Sequence, residues 1–144
     1  MKERADIQKI HSLSDVKALV SVFALAFEQE YSVTDEYLSK MLEDDKTLIL
    51  GAFIDTKIVG GLVAMEMMPI HGTKEFFIYD IAVHPEYQKQ GLGKALIEHL
   101  KLEAKKRGIE TIFVEAESED GGAVAFYRAL GGEEVSVNHF NFTV

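Results

Sequence analysis

Tyr79-Asp80-Ile81-Ala82-Val83-His84-Pro85-Glu86-Tyr87-Gln88-Lys89-Gln90-Gly91-Leu92-Gly93-Lys94 is the stretch on which the fold turns. Phe76 to Val83 is rich in β-branched and aromatic residues, which predicts an extended strand, and Pro85 ends that strand by withholding a backbone donor. From Leu92 onward, Leu92, Ala95, Leu96, His99, Leu100 and Leu102 recur at helical spacing, with Lys94, Glu98, Lys101 and Lys105 between them. A helix therefore begins near Gly91 and stops at Gly108, a natural left-handed cap. Strand, bend and a glycine-bearing helix start together make a cradle for an anion.

The first turn of a helix carries N–H groups without intrahelical partners and with partial positive charge. Gly91 and Gly93 lack the Cβ atoms that would hold a ligand away from them. A phosphate suits such a place. The spacing is neither the Gly-x-x-x-x-Gly-Lys-Ser/Thr of a P-loop nor the Gly-x-Gly-x-x-Gly of a dinucleotide fold. Instead, Gln88, Gly91 and Gly93 fill the pattern Gln/Arg-x-x-Gly-x-Gly directly after an Ile-Ala-Val-x-Pro strand end. That combination resembles the coenzyme A pyrophosphate loop of the GCN5-related N-acetyltransferase (GNAT) superfamily. The resemblance implies acetyl-CoA as co-substrate, its diphosphate held by Gln88, Lys89, Gln90, Gly91, Leu92, Gly93 and Lys94. It also implies a sheet that splays between its fourth and fifth strands after Val83. The pantetheine arm then enters the gap and satisfies backbone groups of Ile81, Ala82 and Val83 as an added strand would.

A second segment, Asp120-Gly121-Gly122-Ala123-Val124-Ala125-Phe126-Tyr127-Arg128-Ala129-Leu130-Gly131-Gly132, resembles the superfamily's Asn-x-x-Ala-x-x-Phe-Tyr-x-x-x-Gly helix, with Asp120 in place of the usual Asn. The resemblance implies coenzyme contacts from Asp120, Ala123 and Tyr127, and a Tyr127 phenol placed to protonate the departing thiolate. Tyr127 as a core aromatic is the other reading. Closer still is a resemblance to type I aminoglycoside 3-N-acetyltransferases. It is carried by Ile78-Tyr79-Asp80-Ile81-Ala82-Val83, Gly91, Ala95-Leu96-Ile97, Leu100-Lys101, Ala123-Val124-Ala125, Tyr127, Glu133-Glu134-Val135 and His139-Phe140, and it is looser in the first half of the chain. It implies a polycationic aminosugar as acceptor, with the 3-amino group of the deoxystreptamine ring as its nucleophile, and a homodimer. Gly121-Gly122 departs from that pattern at the mouth of the coenzyme site.

Composition is consistent with this. A chain of 144 residues suits one domain, expected over 1–144, large enough to bury a core without staples. No cysteine is present, which excludes disulfides, a thiol nucleophile and cysteine-ligated zinc, and no metal is expected. The charged start Met-Lys-Glu-Arg-Ala-Asp is unlike a signal peptide, and no run approaches the ~18 apolar residues of a membrane span, so a cytoplasmic protein is expected. A formal net charge of -9 disfavours nucleic acid and favours a cationic small molecule. Acidic residues crowd Glu28, Glu30, Asp35, Glu36, Glu43, Asp44 and Asp45, and again Glu115, Glu117, Glu119 and Asp120. Each run is either a solvated face or a cradle for cations.

The remaining elements read as a strand over Ala5–His11 and a helix capped by Ser14 through Val16, Leu19, Val20, Phe23 and Phe27. A short helix follows, opened by a Ser32/Asp35 capping box. Thr47–Ile54 and Ile58–Met68 form a hairpin around Asp55-Thr56-Lys57, with Gly60-Gly61 marking a bulge. Thr111–Glu115 is a short strand, Ala123–Leu130 a helix, and the residues after Gly132 alternate as a terminal strand. This order predicts a single α/β domain with a mixed, mostly antiparallel sheet flanked by helices.

An amine that is protonated at neutral pH must lose a proton before it attacks a thioester. Asp80, on the splayed strand, is the candidate base; a structural carboxylate bonded to backbone is its alternative. Tyr79, Asp80, Glu115, Glu117, Glu28 and Glu30 are the candidates for holding ammonium groups. His84 and His71 read as loop residues. Amides near Ile81 to Val83 are suited to stabilising the oxyanion. A different amine acceptor (polyamine, protein N-terminus or lysine) and a non-catalytic coenzyme A-binding domain are the competing functions.

Overall fold

The computed structural model describes residues 4–144. The elements are β1 (Asp6–Lys9), α1 (Leu13–Phe27), α2 (Asp35–Glu43), β2 (Thr47–Ile54), β3 (Lys57–Met67), β4 (Glu75–Val83), a 3₁₀ turn (Pro85–Tyr87), α3 (Leu92–Arg107), β5 (Thr111–Val114) and α4 (Gly121–Ala129). The sheet runs in order β1-β2-β3-β4-β5. Its first three pairings are antiparallel and the β4–β5 pairing is parallel.

Both faces of the sheet are covered, which is why β2 reads as an unbroken apolar run rather than an alternation. Leu48, Leu50, Ala52 and Ile54 join Leu92, Leu96, Ile97 and Leu100 of α3 in one buried cluster. Ile49 and Phe53, of opposite parity, join Val16, Leu19, Val22 and Phe23 of α1 and Leu38 of α2 in the other. On α3 the buried stripe is Leu92, Leu96, Ile97, Leu100, Glu103 and Ala104, whereas Leu102 lies on the exposed side.

A chain of ion pairs ties the far end of α3 to the sheet. Glu103, 5% exposed, accepts from Lys9 Nζ at 2.9 Å and Arg107 Nε at 3.3 Å. Arg107 reaches Glu66 at 3.5 Å, and Lys46 closes on Glu66 at 2.7 Å. Burial alone would raise the Glu103 carboxyl, but the hydrogen bonds from Lys9 and Arg107 outweigh it and hold it below its ordinary value. Glu66 is held low mainly by its hydrogen bond from Lys46.

Four local expectations are corrected. Ser12, not Ser14, caps α1, because its side chain accepts from Asp15 N at 3.2 Å while Ser14 already lies within the first turn. Thr34, not Ser32, opens α2 by accepting from Tyr37 N at 3.1 Å. The β2–β3 bulge falls one residue before the glycine pair: Ala52 faces Gly60 and Phe53 faces Ile58, leaving Val59 extra. Gly61 is a packing glycine, since a Cβ there would collide with Leu19 and the Leu50 carbonyl. The expected terminal strand is the fourth correction. Residues 133–144 are exposed and without regular structure, and no backbone hydrogen bond joins them to β5.

Candidate active site

The strand gap opens earlier than the sequence suggested. β4 and β5 pair from Glu75/Thr111 to Ile78/Val114, and there β5 ends while β4 continues to Val83. The divergence coincides with a bulge: Val63 faces Asp80 and Ala64 faces Ile78, so Tyr79 is the extra residue. A bulge bends its strand and increases the local twist, which turns Tyr79–Val83 away from the line of β5. Along this stretch β4 has a ladder partner on its β3 side alone.

The bulge also sets the environment of Asp80. Its carboxylate is half-buried and has no hydrogen-bond or ion-pair partner among the described residues. Loss of hydration raises its pKa above the ordinary 3.8. A structural carboxylate would be expected to hold a backbone donor. Tyr79, 65% exposed, stands edge-on to Phe77 at 5.6 Å, and Phe77 stacks on Phe113 of β5 at 4.9 Å. That aromatic pairing across the rung before the last joined one was not anticipated; its only signal in the sequence is an aromatic on each of two neighbouring strands.

At the end of β4 the chain is shaped by its own side chains. Gln88 Nε2 donates to the Val83 carbonyl at 3.0 Å, and His84 Nδ1 accepts from Glu86 N at 3.1 Å. Gln88 and His84 thus fold the loop, while His71 Nδ1 accepts from Thr73 N in a separate turn. Lys89 and Gly91 both take positive φ, at 60° and 86°. Gly91 is the N-cap of α3, and a Cβ on it would meet open space, so its need for glycine is conformational.

Among the described helices, α1, α2, the 3₁₀ turn and α4 each have a side chain capping the first turn. α3 has none. The first amides of α3 therefore face outward uncapped, with Lys94 beside them. This is a site chemically fitted to a diphosphate.

Gly93 has a different reason from the one its spacing suggested. A Cβ there would stand 3.0 Å from Phe126 Cζ, so the glycine admits the α4 ring against the first turn of α3. Phe126 in turn meets Tyr127 edge-on at 5.2 Å. Burial lifts the Tyr127 phenol above its ordinary pKa, and the nearby Asp120 carboxylate adds to the rise. Asp120 caps α4, accepting from Ala123 N at 3.1 Å. Ala123 is partly buried in the first turn of α4.

The acidic candidates are less tightly gathered. Glu115 and Glu117 follow β5 directly and are exposed; Glu115 lies 3.7 Å from His139 Nδ1. Glu28 ends α1 with a left-handed φ of 53°, and Glu30 lies in the connection to α2. Both are exposed, and no hydrogen bond or ion pair joins either to Asp80. Among the described residues no cluster of His, Asp or Glu is arranged to hold a metal, and no helix is long and apolar enough to cross a membrane.

Comparison with known proteins agrees with this geometry. The family model described as "Acetyltransferase (GNAT) family" matches residues 15–131. The ribosomal protein bS18-alanine N-acetyltransferase of Escherichia coli K12 is 44% identical over 63 residues, 44% of this chain and 43% of that enzyme. The Salmonella typhimurium enzyme of the same name is 32% identical over 72% of this chain and 60% of its own length. The chain thus spans about half the length of these curated relatives. The crystal structure of an aminoglycoside acetyltransferase from an uncultured soil metagenomic sample, in complex with sisomicin, superposes with a TM-score of 0.93 at 30% identity, covering 97% of this chain and 96% of that one.

Proposed function

The chain belongs to the GNAT acetyltransferase family, and from that premise we propose that it transfers the acetyl group of acetyl-CoA to an amine of an aminoglycoside by direct attack in a ternary complex. The 3-amino group of the deoxystreptamine ring is the nitrogen we assign. The observation that carries the proposal is the half-buried, unpaired Asp80 at the mouth of the strand gap, in a chain similar over nearly its whole length to an aminoglycoside acetyltransferase. The net charge of -9 and the exposed Glu115, Glu117, Glu28 and Glu30 favour a polycationic acceptor.

In this mechanism the uncapped amides of Leu92, Gly93 and Lys94, with the turn formed by Gln88, Lys89 and Gln90, hold the diphosphate of the co-substrate. The free side of β4 over Ile81, Ala82 and Val83 receives its amide-bearing arm. Asp80 accepts the ammonium proton, and Tyr79, Glu115 and Glu117 hold the sugar's remaining charges. The freed amine attacks the thioester carbon, a C–N bond forms and the C–S bond breaks. Amides of β4 stabilise the oxygen's transient charge. Tyr127, kept protonated by its raised pKa, gives its proton to the leaving thiolate and is reprotonated by the second proton that the former amine nitrogen sheds as the amide forms. No covalent acetyl-enzyme is required.

A second reading, acetylation of a protein N-terminus, is favoured by the 44% identity to the ribosomal-protein alanine acetyltransferase. One experiment separates the two. Coenzyme A release is measured with sisomicin, gentamicin, spermidine and a peptide beginning with alanine as acceptors. An aminoglycoside kcat/KM at least ten times that of the others is expected; preference for the peptide would replace the first reading with the second, and release from none would leave a coenzyme-binding domain.

A further inference from the structure

His84 stands between the end of β4 and the turn that leads into α3. Its backbone N donates to the Val59 carbonyl at 2.7 Å, which fixes the residue to β3. Pro85 has no N–H to offer, and Tyr87 N donates to the His84 carbonyl at 2.8 Å. The Glu86 amide is then the one donor of the 3₁₀ turn that needs a side chain, and it donates to His84 Nδ1 at 3.1 Å. The ring also stands edge-on to Tyr87 at 5.7 Å, and Tyr87 packs on the α3-side core. One imidazole thus shapes the turn from which the chain proceeds to Gln88, to Lys89 at a φ of 60° and to Gly91 at 86°, the opening of α3.

An accepting Nδ1 carries a requirement on protonation. A neutral imidazole accepts on one nitrogen and donates on the other, so with Nδ1 accepting, the ring hydrogen sits on Nε2. The imidazolium bears hydrogen on both nitrogens, and its Nδ1–H would confront the Glu86 N–H, donor against donor. The cap is then lost and the turn has no other side chain holding that amide. Histidine is the side chain whose charge ordinarily changes between about pH 5 and 8. The ionisable groups around this one are Asp15 of α1 and Lys57 of the β2–β3 turn, which line one cleft with it, and Glu86 and Tyr87 of its own turn; Lys57 Nζ lies 5.5 Å over the Tyr87 ring.

We propose that His84 is a positioning residue for the coenzyme: its neutral, Nε2-protonated imidazole holds the turn that presents Gln88 to Gly91 to the diphosphate, and protonation of the ring on acidification loosens that loop and weakens coenzyme binding. The inference rests on the reading of this loop as the diphosphate site and is independent of the acceptor. It touches binding of the coenzyme rather than the chemical step, so affinity is its readout; turnover would also report the protonation of Asp80. Asparagine is the natural stand-in. Its Oδ1 lies as many bonds from Cα as the imidazole Nδ1, it caps first turns well, and it accepts at every pH.

Coenzyme A binding is measured by calorimetry at constant ionic strength from pH 8 to pH 5 for the wild type, His84→Ala and His84→Asn, each shown to be folded by its thermal melt. At pH 8 His84→Ala should bind about fivefold to tenfold more weakly, the size of one lost cap bond, and His84→Asn within about twofold of wild type. The ratio of wild-type to His84→Asn affinity should fall about fivefold towards pH 5. Taking the ratio removes the titration of the coenzyme's own phosphate and of the chain's other histidines. In parallel, long-range ¹H–¹⁵N spectra of the wild type at pH 8 should show His84 as the Nε2–H tautomer. Wild-type affinity in His84→Ala at pH 8, a His84→Asn variant as weak as the alanine, parallel pH curves for wild type and His84→Asn, or an Nδ1–H tautomer would each overturn the proposal while leaving the diphosphate site in place. Failure of the wild type to bind coenzyme A at pH 8 would overturn the site as well.

Discussion

Phe126 of α4 rests on Gly93 of α3, so closely that a Cβ on the glycine would stand 3.0 Å from the ring. The two sequence segments that point to coenzyme binding are therefore one mechanical unit. The second glycine of the α3 loop positions the helix that carries Tyr127.

Gly93→Ala should push α4 away from α3 and displace Tyr127. Overpacking of this kind costs about 1–3 kcal/mol, which should appear as a lower melting temperature together with a fall in kcat. Shrinking the ring in Gly93→Ala/Phe126→Leu should restore part of both. A Gly93→Ala enzyme with wild-type kcat would show that the contact does not position the tyrosine.

Gly91→Ala tests the cradle itself. Gly91 and Gly72 both have positive φ, 86° and 92°, and a Cβ on either would meet empty space. Either alanine variant should lose about 1–2 kcal/mol of stability through backbone strain. Only Gly91→Ala should also weaken coenzyme A binding, measured by calorimetry, by tenfold or more. Equal affinity in the two variants would place the diphosphate elsewhere.

Asp80→Asn should lower kcat at least a hundredfold while leaving coenzyme A affinity largely intact. Because burial raises the carboxyl above 3.8, the acid limb of the wild-type rate profile should lie above that value and vanish in the variant. The same burial disfavours the ionised form in the folded state, so the asparagine should not lower the melting temperature at pH 7. A drop in stability with unchanged turnover would make Asp80 structural instead.

Glu103→Ala should destabilise the domain by about 1–3 kcal/mol, since it leaves Lys9 and Arg107 without their shared acceptor. Glu103 and Glu66 have pKa values below the ordinary 4.5. Their contribution is therefore complete above 4.5 and is lost as pH falls through the lower folded values. Thermal melts from pH 7 to 3 should show a steeper acid loss for wild type than for Glu103→Ala; parallel curves would remove the network from the acid response.

Periodicity and punctuation made much of the fold readable. Thr47–Ile54, the α3 stripe from Leu92 to Leu100, and the Gly108 stop all depend on local rules that side-chain spacing obeys directly. The caps were misplaced by two residues at Ser12 and Thr34 because several hydroxyls lie within reach of the same first turn. Which one bonds depends on where the chain enters the helix. The terminal segment alternates like a strand, yet alternation states only that one face is apolar and says nothing of what lies opposite.

By itself the sequence determined the GNAT pattern, the glycine-opened helix and the candidate residues Asp80 and Tyr127, because each rests on residue type and short spacing. Only the tertiary structure decided that the strands part after Ile78, that Gly93 makes room for Phe126, that Gln88 and Asp120 support loop and helix, and that Asp80 has no partner among the described residues. Those facts are contacts between segments far apart in the chain. Desolvation, ladder pairing and the fit of a ring against a helix have no value until the fold brings the two sides together.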